Sequence, residues 1–69
     1  MKQFKKFIEL AKNNGFDQWT IKKESYDNLI YVRLWHGSWD SCAEGDEDIE
    51  KAITNAINMM NEYLEWIKK

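Results

Sequence analysis

The chain has 69 residues and a formal net charge of −2, with 43% hydrophobic and 32% charged residues. This length allows one small domain, residues 1–69, and the single cysteine, Cys42, excludes an intramolecular disulfide, so a reducing cytoplasm is the expected compartment. We expect no membrane span because no apolar run approaches about 20 residues, and no signal peptide because "MKQFKKFIEL" is amphipathic.

The first predicted element is an amphipathic helix from about Lys2 to Asn14. Apolar residues recur along one side of it at helical spacing, with the lysines outside that stripe, and they are Phe4, Phe7, Ile8 and Ala11. The sequence "NNG" predicts the end of the helix, because Gly15 readily adopts the left-handed conformation just past a helix terminus.

Three strands are predicted next. The runs "QWTIKKESY" and "LIYVRLWH" are separated by Asp27-Asn28, a pair suited to a two-residue turn, and a Gly37-Ser38 turn leads to a shorter strand from about Trp39 to Ala43. Because strand side chains alternate between faces, the core face would carry Trp19, Ile21, Ile30, Val32, Leu34, Trp39 and Ala43. The opposite face would carry Lys22, Glu24, Tyr26, Tyr31, Arg33, Trp35 and Asp40.

The last predicted element is a long helix from about Asp46 to Lys68 with one broad apolar side. Its predicted start lies in an acidic segment, residues 44–50, which contains Glu44, Asp46, Glu47, Asp48 and Glu50. Carboxylates at a helix N-terminus complement the helix dipole by roughly 0.3 to 1 kcal/mol each. One helix N-terminus does not require five carboxylates, so a partner-binding surface remains an alternative to this structural interpretation.

The length of this helix predicts a second contact surface. A helix of about 22 residues measures roughly 33 Å, whereas a compact domain of this size has a diameter of about 28 Å. The C-terminal turn should therefore overhang, and its apolar residues would be exposed unless a second chain covers them. We predict a homodimer or partner contact through Met59, Tyr63, Trp66 and Ile67, with coverage by the first helix as the alternative.

The predicted fold class is α+β, with the order αβββα and two helices packed on one face of a three-stranded antiparallel meander. The segments "KNNGF", "WTIKKESYDNLIYVRLW" and "CAEGDEDIEKAITNAINMMNEYL" resemble the layout of the double-stranded RNA-binding domain. The order also resembles small αβββα proteins of phages and mobile elements, and residues 45–56 are similar to antitoxins of the HicB type.

The resemblance to the RNA-binding family does not extend to its binding residues. That family contacts duplex RNA partly through a basic cluster that opens its second helix. At the matching positions this chain has Asp46, Glu47 and Asp48, with only Lys51 nearby. These carboxylates would repel phosphate, which argues against duplex RNA as a partner. The resemblance therefore implies the fold alone.

No residue set in the sequence favours an enzyme or a metal site. The predicted pairing places His36, the only histidine, opposite Trp39 and puts Cys42 on the other face, which argues against a Cys–His catalytic pair. The acidic segment lacks the ligand spacing of a calcium-binding loop. We therefore expect no catalytic residue, no metal and no cofactor.

The outer face of the predicted sheet is a further candidate site. Aromatic and cationic side chains alternate there and could hold a nucleotide by stacking and phosphate contacts, and they are Lys22, Tyr26, Tyr31, Arg33 and Trp35. The alternative is cross-strand aromatic packing with no ligand.

These observations together predict a non-enzymatic binding protein, a small phage or mobile-element inhibitor that contacts a host protein directly. The acidic segment would face a basic surface, such as that of a nucleic-acid-handling protein, while Tyr31 and Trp35 supply an apolar anchor. The alternative is a small dimeric module that captures a nucleotide or nucleotide-like signal. We expect no membrane partner.

Overall fold

The computed structural model describes residues 2–68 and contains two helices and a three-stranded antiparallel sheet. In chain order these elements are α1 (Lys2–Asn13), β1 (Gln18–Lys23), β2 (Ile30–His36), β3 (Trp39–Cys42) and α2 (Ile49–Ile67). The predicted α+β class and αβββα order are confirmed. Neither helix in this part of the chain combines the length and the apolar character needed to cross a membrane.

The end of α1 follows from one glycine. Gly15 has a φ of 76°, in the left-handed region, as the sequence predicted. The amide of Phe16 then donates a hydrogen bond to the Ala11 carbonyl over 3.0 Å, which satisfies an acceptor in the last helical turn. This reversal buries Phe16 and directs the chain into β1.

β2 is the central strand, with β1 on one side and β3 on the other. The turn between β2 and β3 is the predicted two-residue turn, since His36 pairs with Trp39 and Gly37 has a φ of 60°. The predicted alternation of faces is also confirmed, because Val32 and Leu34 are fully buried while Arg33 between them is exposed.

The predicted two-residue turn at Asp27-Asn28 is wrong. β1 ends at Lys23, which pairs with Ile30, and the amide of Glu24 donates to the Leu29 carbonyl, so a longer loop joins the strands. The carboxylate of Asp27 accepts from the Leu29 amide at 3.0 Å, a side-chain contact that stabilises the longer loop. The register differs from the predicted one by two residues, and an even shift leaves each side chain on its predicted face.

The predicted start of α2 at Asp46 is also wrong, since the helix begins at Ile49. The main chain of Asp46 is extended beside the sheet, where its amide and carbonyl exchange hydrogen bonds of 3.2 and 2.9 Å with Ile30. Asp48 then caps the helix, because its carboxylate accepts from the amide of Glu50 at 2.8 Å. Most of the acidic segment is therefore a loop attached to β2.

The core lies between both helices and one face of the sheet. Its buried residues come from α1, the following turn, β2, the segment after β3 and α2, and they are Phe7, Ala11, Phe16, Val32, Leu34, Ala43, Ala52, Ile53, Ala56 and Met60. Full burial of a large apolar side chain contributes roughly 1.5–3 kcal/mol, so this face supplies most of the favourable free energy of folding. On the opposite face of the sheet, the part of the chain that the structure describes places no helix.

The predicted exposure of the apolar residues at the end of α2 is confirmed for Trp66 and Ile67 and is wrong for Met59 and Tyr63, which pack against the core of their own chain. Trp66 is 69% exposed and Ile67 is 45% exposed, while Met59 and Tyr63 are half-buried. α1 ends at Asn13 and does not cover Trp66, so the alternative prediction of complete coverage by α1 is wrong.

The loop between β1 and β2 gives a test of the fold. Asn28 has a φ of 59°, which costs about 1 kcal/mol for most side chains and less for Asn or Gly. We expect Asn28→Ala to lower the free energy of unfolding by about 1 kcal/mol, and Asn28→Gly to lower it by less. Urea unfolding followed by tryptophan fluorescence measures both, and equal losses would contradict the role of the left-handed conformation.

Candidate functional site

An open groove lies on the face of the sheet opposite the helices. Its volume is about 440 Å³, and we call it the outer groove. Side chains from all three strands and from the loop after β1 line it, and they are Thr20, Lys22, Glu24, Tyr26, Tyr31, Arg33, Trp35 and Cys42. The five predicted ligand-binding residues, Lys22, Tyr26, Tyr31, Arg33 and Trp35, thus lie together.

Each cation of the outer groove has a carboxylate beside it. The Nζ atom of Lys22 is 3.3 Å from the Oε1 atom of Glu24, and Nη2 of Arg33 is 3.2 Å from Oδ1 of Asp40. Both pairs are largely solvated, so each contributes little to stability. They nevertheless compensate the charge of the groove, and an incoming phosphate would compete with these carboxylates.

Arg33 and Trp35 form one wall of the outer groove. The guanidinium carbon of Arg33 lies 5.2 Å from the centroid of the Trp35 ring, a distance suited to a cation–π contact. Trp35 is half-buried, so one surface of the indole stays available to solvent. This wall therefore offers an aromatic surface with the guanidinium of Arg33 lying over it.

Tyr31 is fixed by a hydrogen bond to the loop. Its hydroxyl donates to Oδ2 of Asp27 over 2.6 Å, while Oδ1 of the same carboxylate accepts from the Leu29 amide. The hydrogen bond to Asp27, assisted by desolvation and the negative charge of Asp27, raises the pKa of Tyr31 to about 12. The phenol is therefore neutral and held in place at ordinary pH.

The ring of Tyr31 also joins the outer groove to the acidic segment. Gly45 packs so closely on this ring that a Cβ atom at position 45 would lie 2.7 Å from the Cε1 atom of Tyr31. The next residue, Asp46, bonds to Ile30 on the strand that carries Tyr31. The two candidate surfaces predicted from the sequence are thus continuous at Tyr31.

Within the acidic segment the carboxylates divide into two kinds. Asp46 and Asp48 make local hydrogen bonds, to the amides of Asp48 and Glu50 at 2.9 and 2.8 Å. The side chains of Glu44, Glu47 and Glu50 are exposed, and across residues 2–68 no salt bridge involves any carboxylate of this segment. Asp46 and Asp48 therefore have structural roles, and Glu50 lies in the first turn of α2, where its charge complements the helix dipole. Glu44 and Glu47 present negative charge outside the helix.

The predicted dimerisation residues lie apart from the outer groove. Met59, Tyr63 and Trp66 line a separate concavity with Trp39 and Glu62 on the helix side of the sheet, and Ile67 is exposed near the end of α2. The rings of Trp39 and Tyr63 are stacked with centroids 4.0 Å apart. This aromatic end is a second candidate contact surface.

Sequence reasoning missed the hydrogen bonds of His36. Its Nε2 atom lies 3.1 Å from the Asn14 carbonyl and its Nδ1 atom lies 3.0 Å from the Tyr63 hydroxyl. Because a carbonyl can only accept, Nε2 donates to Asn14 and Nδ1 accepts from Tyr63. The even spacing of His36 from Val32 and Leu34 in β2 was the available signal, since it places the imidazole on the helix side.

The geometry does not assemble a catalytic pair from the residues considered. His36 lies on the helix side of the sheet, whereas Cys42 lines the outer groove on the other side. Among residues 2–68, no three His, Cys, Asp or Glu side chains are placed to hold a metal ion together.

The chain matches no protein-family model, no curated protein and no solved structure. The outer groove and the acidic segment are therefore interpreted from their own geometry.

The contact between Tyr31 and Asp27 gives a pH-dependent test. A folded-state pKa of about 12, above the ordinary value of 10.0, contributes stability that is present below pH 10 and is lost as the pH rises through about 12. Asp27→Asn keeps an acceptor for the Leu29 amide but removes the charge, so the pKa of Tyr31 should fall toward 10. Phenolate absorbance during an alkaline titration measures this shift, with circular dichroism to monitor folding.

The control for this titration is Tyr31→Phe, which identifies the absorbance step that belongs to Tyr31. If Asp27→Asn left the titration curve of Tyr31 unchanged, the hydrogen bond between Tyr31 and Asp27 would not be present in the protein in solution.

Proposed function

We propose that the protein is a non-enzymatic binding protein that contacts another protein through one continuous surface, formed by the outer groove and the acidic segment. The observation that carries this proposal is the packing of Gly45 on the Tyr31 ring, because it places a groove with aromatic side chains and a negatively charged loop side by side. Apolar anchors next to charged groups are typical of protein interfaces, where the charges guide encounter and the anchors hold the complex.

The charge of the acidic segment determines the kind of partner that fits. Glu44, Glu47 and Glu50 are exposed, and no salt bridge within the described part of the chain compensates them. A partner with Lys and Arg side chains on its surface would gain from their long-range attraction. We infer a basic partner surface, such as that of a protein that handles nucleic acids.

The outer groove supplies the apolar part of this interface. Tyr31 and Trp35 are half-buried and held by neighbouring groups, so little conformational freedom is lost when a partner covers them. Tyr26, which is 81% exposed, stands at the rim. Trp and Tyr residues in such positions commonly dominate binding free energy.

In this proposal the protein inhibits a host protein by binding to that protein's basic surface. The protein in this proposal comes from a phage or mobile element and acts in the cytoplasm of the host cell. Support for the inhibitory role comes from the exposed acidic loop and the aromatic groove beside it.

Charge substitutions in the acidic segment test the interface. Glu44→Gln combined with Glu47→Gln should slow association with the partner by about tenfold at low salt and weaken the salt dependence, because these carboxylates attract the basic surface. The partner is first identified by cross-linking in the host cell, and association rates are then measured with the two purified proteins.

The matched control removes two charges elsewhere, with Glu9→Gln and Glu65→Gln, and should leave the association rate nearly unchanged. Trp35→Ala should instead speed dissociation by about tenfold, since it removes an apolar anchor. The proposed surface would be refuted if the two double Glu→Gln variants slowed association equally. It would also be refuted if neither of them nor Trp35→Ala changed the association or dissociation rate.

A second candidate function is the capture of a nucleotide in the outer groove. The volume of about 440 Å³ favours it, since small-molecule sites commonly occupy about 300–1,000 Å³, and Trp35 could stack on a base while Lys22 and Arg33 contact phosphate. The competing carboxylates Glu24 and Asp40 make this candidate second to a protein partner.

A nucleotide panel distinguishes the two candidates. If the groove captures a nucleotide, tryptophan fluorescence should change and calorimetry should record heat of binding, and Arg33→Ala should abolish both while Lys12→Ala on α1 should not. Unchanged fluorescence and no heat with every nucleotide would exclude this second function.

A further inference from the structure

A second groove lies between β3 and α2, along one edge of the sheet, and we call it the edge groove. Its two adjoining parts meet at Met59 and Glu62. Aromatic residues line one part, and they are Trp39, Tyr63 and Trp66. Polar side chains enter the other part, and they are Glu44, Asn55 and Asn58. The edge groove thus has an aromatic half and a polar half.

The edge groove carries negative charge. The two carboxylates that line it belong to Glu44 and Glu62, both exposed. No Lys, Arg or His lines either half, and within residues 2–68 neither carboxylate takes part in a salt bridge. Aromatic rings beside a carboxylate suit a cation, because the face of a ring also attracts positive charge. A positively charged ligand therefore fits this groove, whereas a phosphate backbone or a second acidic surface does not.

β3 leaves main-chain groups open beside the edge groove. The amide of Ala43 donates to the Val32 carbonyl over 2.9 Å, which fixes the phase of hydrogen bonding between the end of β3 and β2. Main-chain groups of alternate residues point the same way, so those of Asp40 and Cys42 face outward. In residues 2–68 no hydrogen bond reaches these outward groups. A ligand in the edge groove therefore lies next to open amides and carbonyls.

The side chain of Asn55 limits the length of this open edge. Its amide donates to the Glu44 carbonyl over 3.0 Å, and this carbonyl is the next outward acceptor after Cys42. The edge is therefore open from Asp40 to Cys42 and covered at Glu44. An added strand can pair with β3 over a few residues only.

The other edge of the sheet has the opposite charge. β1 ends in Lys22 and Lys23, and edge lysines discourage the addition of any strand and repel a basic one. The ring of Trp19 in β1 already packs on Phe4 and Phe7 of α1, at centroid distances of 6.1 and 5.1 Å. Of the two edges, β3 is the one suited to a basic segment.

We propose that the edge groove binds an extended basic segment of another protein, which adds to the sheet as a fourth strand beside β3. The segment runs antiparallel to β3, as both strand pairs of the sheet do, and antiparallel pairing is the more stable kind. Its main chain bonds to Asp40 and Cys42, and alternate side chains enter the edge groove. Lys or Arg at these positions meets Glu62 beside Trp66 in the aromatic half and Glu44 in the polar half.

The open main-chain groups select a peptide among cationic ligands. A polyamine can pair with the two carboxylates, but it offers no carbonyl to the outward amides of β3. A basic segment supplies positive charge together with main-chain donors and acceptors. Peptides that add a strand to a sheet edge gain affinity from the main chain and specificity from alternate side chains.

This contact goes beyond the proposed function because it uses a different surface. The outer groove lies on the uncovered face of the sheet, and only Cys42, in the edge strand, lines both grooves. Glu44 is the one residue of the acidic segment that also lines the edge groove. Substitutions at Glu62 and Trp66 therefore test the edge groove alone.

A synthetic peptide tests the contact directly. The probe is a fluorescein-labelled peptide of about nine residues in which Arg and Val alternate, a length within the usual range of strands. Fluorescence anisotropy measures its binding to the purified chain. We expect a dissociation constant in the micromolar range that rises about fivefold when salt is raised from about 0.05 to about 0.3 M, because salt screens the carboxylates. The same peptide with Glu in place of Arg should not bind.

Methylation of the probe's main chain tests the strand pairing. In an antiparallel pair, opposite residues place their side chains on the same face, so Arg residues that enter the edge groove turn their own amides away from β3. N-methylation of the Val residues removes the amides that face β3 and should weaken binding about tenfold or more. N-methylation of the Arg residues should have little effect. Equal effects of the two modifications would overturn the added strand.

Substitutions in the chain locate the bound peptide. Trp66→Ala should weaken binding about tenfold and Glu62→Gln about threefold, because they remove an aromatic surface and a carboxylate from the edge groove. Both residues are exposed, Trp66 by 69%, so circular dichroism should show an unchanged fold. The matched controls are Trp35→Ala in the outer groove and Glu9→Gln on α1, which should leave the affinity for the peptide nearly unchanged.

The edge contact and the proposed function can fail separately. If the Arg-Val peptide did not bind at low salt, the edge contact would be wrong, while the association kinetics proposed for the outer groove would be unaffected. A loss of affinity in Trp35→Ala but not in Trp66→Ala would place the peptide in the outer groove and also overturn the inference. Spermine that binds as tightly as the peptide, or a dimer of the chain alone that Trp66→Ala dissociates in sedimentation, would assign the edge groove to a different occupant.

Discussion

Burial of Val32 and Leu34 beneath the two helices is the packing interaction on which the rest of the structure depends. Both side chains are fully buried, and both belong to the central strand. Because side chains alternate along a strand, burying these two forces Tyr31, Arg33 and Trp35 onto the opposite face. The same alternation that builds the core therefore places an aromatic and cationic row on the uncovered side. Two helices cover one face of the sheet, and no further described element is available to cover the other.

The acidic segment acquires its position through the same strand. Ile30 holds Asp46 by two main-chain hydrogen bonds, and Gly45 lies directly on the Tyr31 ring. The carboxylates of Asp46 and Asp48 then accept hydrogen bonds from the amides of Asp48 and Glu50. These short-range hydrogen bonds stabilise the loop that leads into α2. Glu50 lies in the first turn of α2, where its charge complements the helix dipole, whereas Glu44 and Glu47 have no comparable local role. Local capping and a solvent-facing charge coexist in this short segment, and the capping residue Asp48 is itself exposed.

Limited size accounts for the surfaces that remain open. A small chain buries a smaller fraction of its surface than a large one, so several aromatic side chains stay partly exposed. On the helix side, the stack of Trp39 on Tyr63 and the hydrogen bonds of His36 order the end of the sheet against α2. Trp66 lies beyond this ordered cluster, next to an unpaired strand edge.

The sequence by itself determined the element order, the end of α1 at Gly15, the turn at Gly37-Ser38 and the face of each strand residue, because these depend on local conformational preference and on alternation. It also predicted that Lys22, Tyr26, Tyr31, Arg33 and Trp35 lie together, but it did not include Thr20, which lines the same groove. Only the tertiary structure decided the length of the loop after β1 and the start of α2. Both depend on contacts between segments distant in sequence or on side-chain hydrogen bonds, namely Asp27 with Tyr31 and Asp46 with Ile30. Tertiary packing likewise placed Gly45 on Tyr31 and His36 between Asn14 and Tyr63, because such contacts require the complete fold and leave no periodic pattern in the sequence.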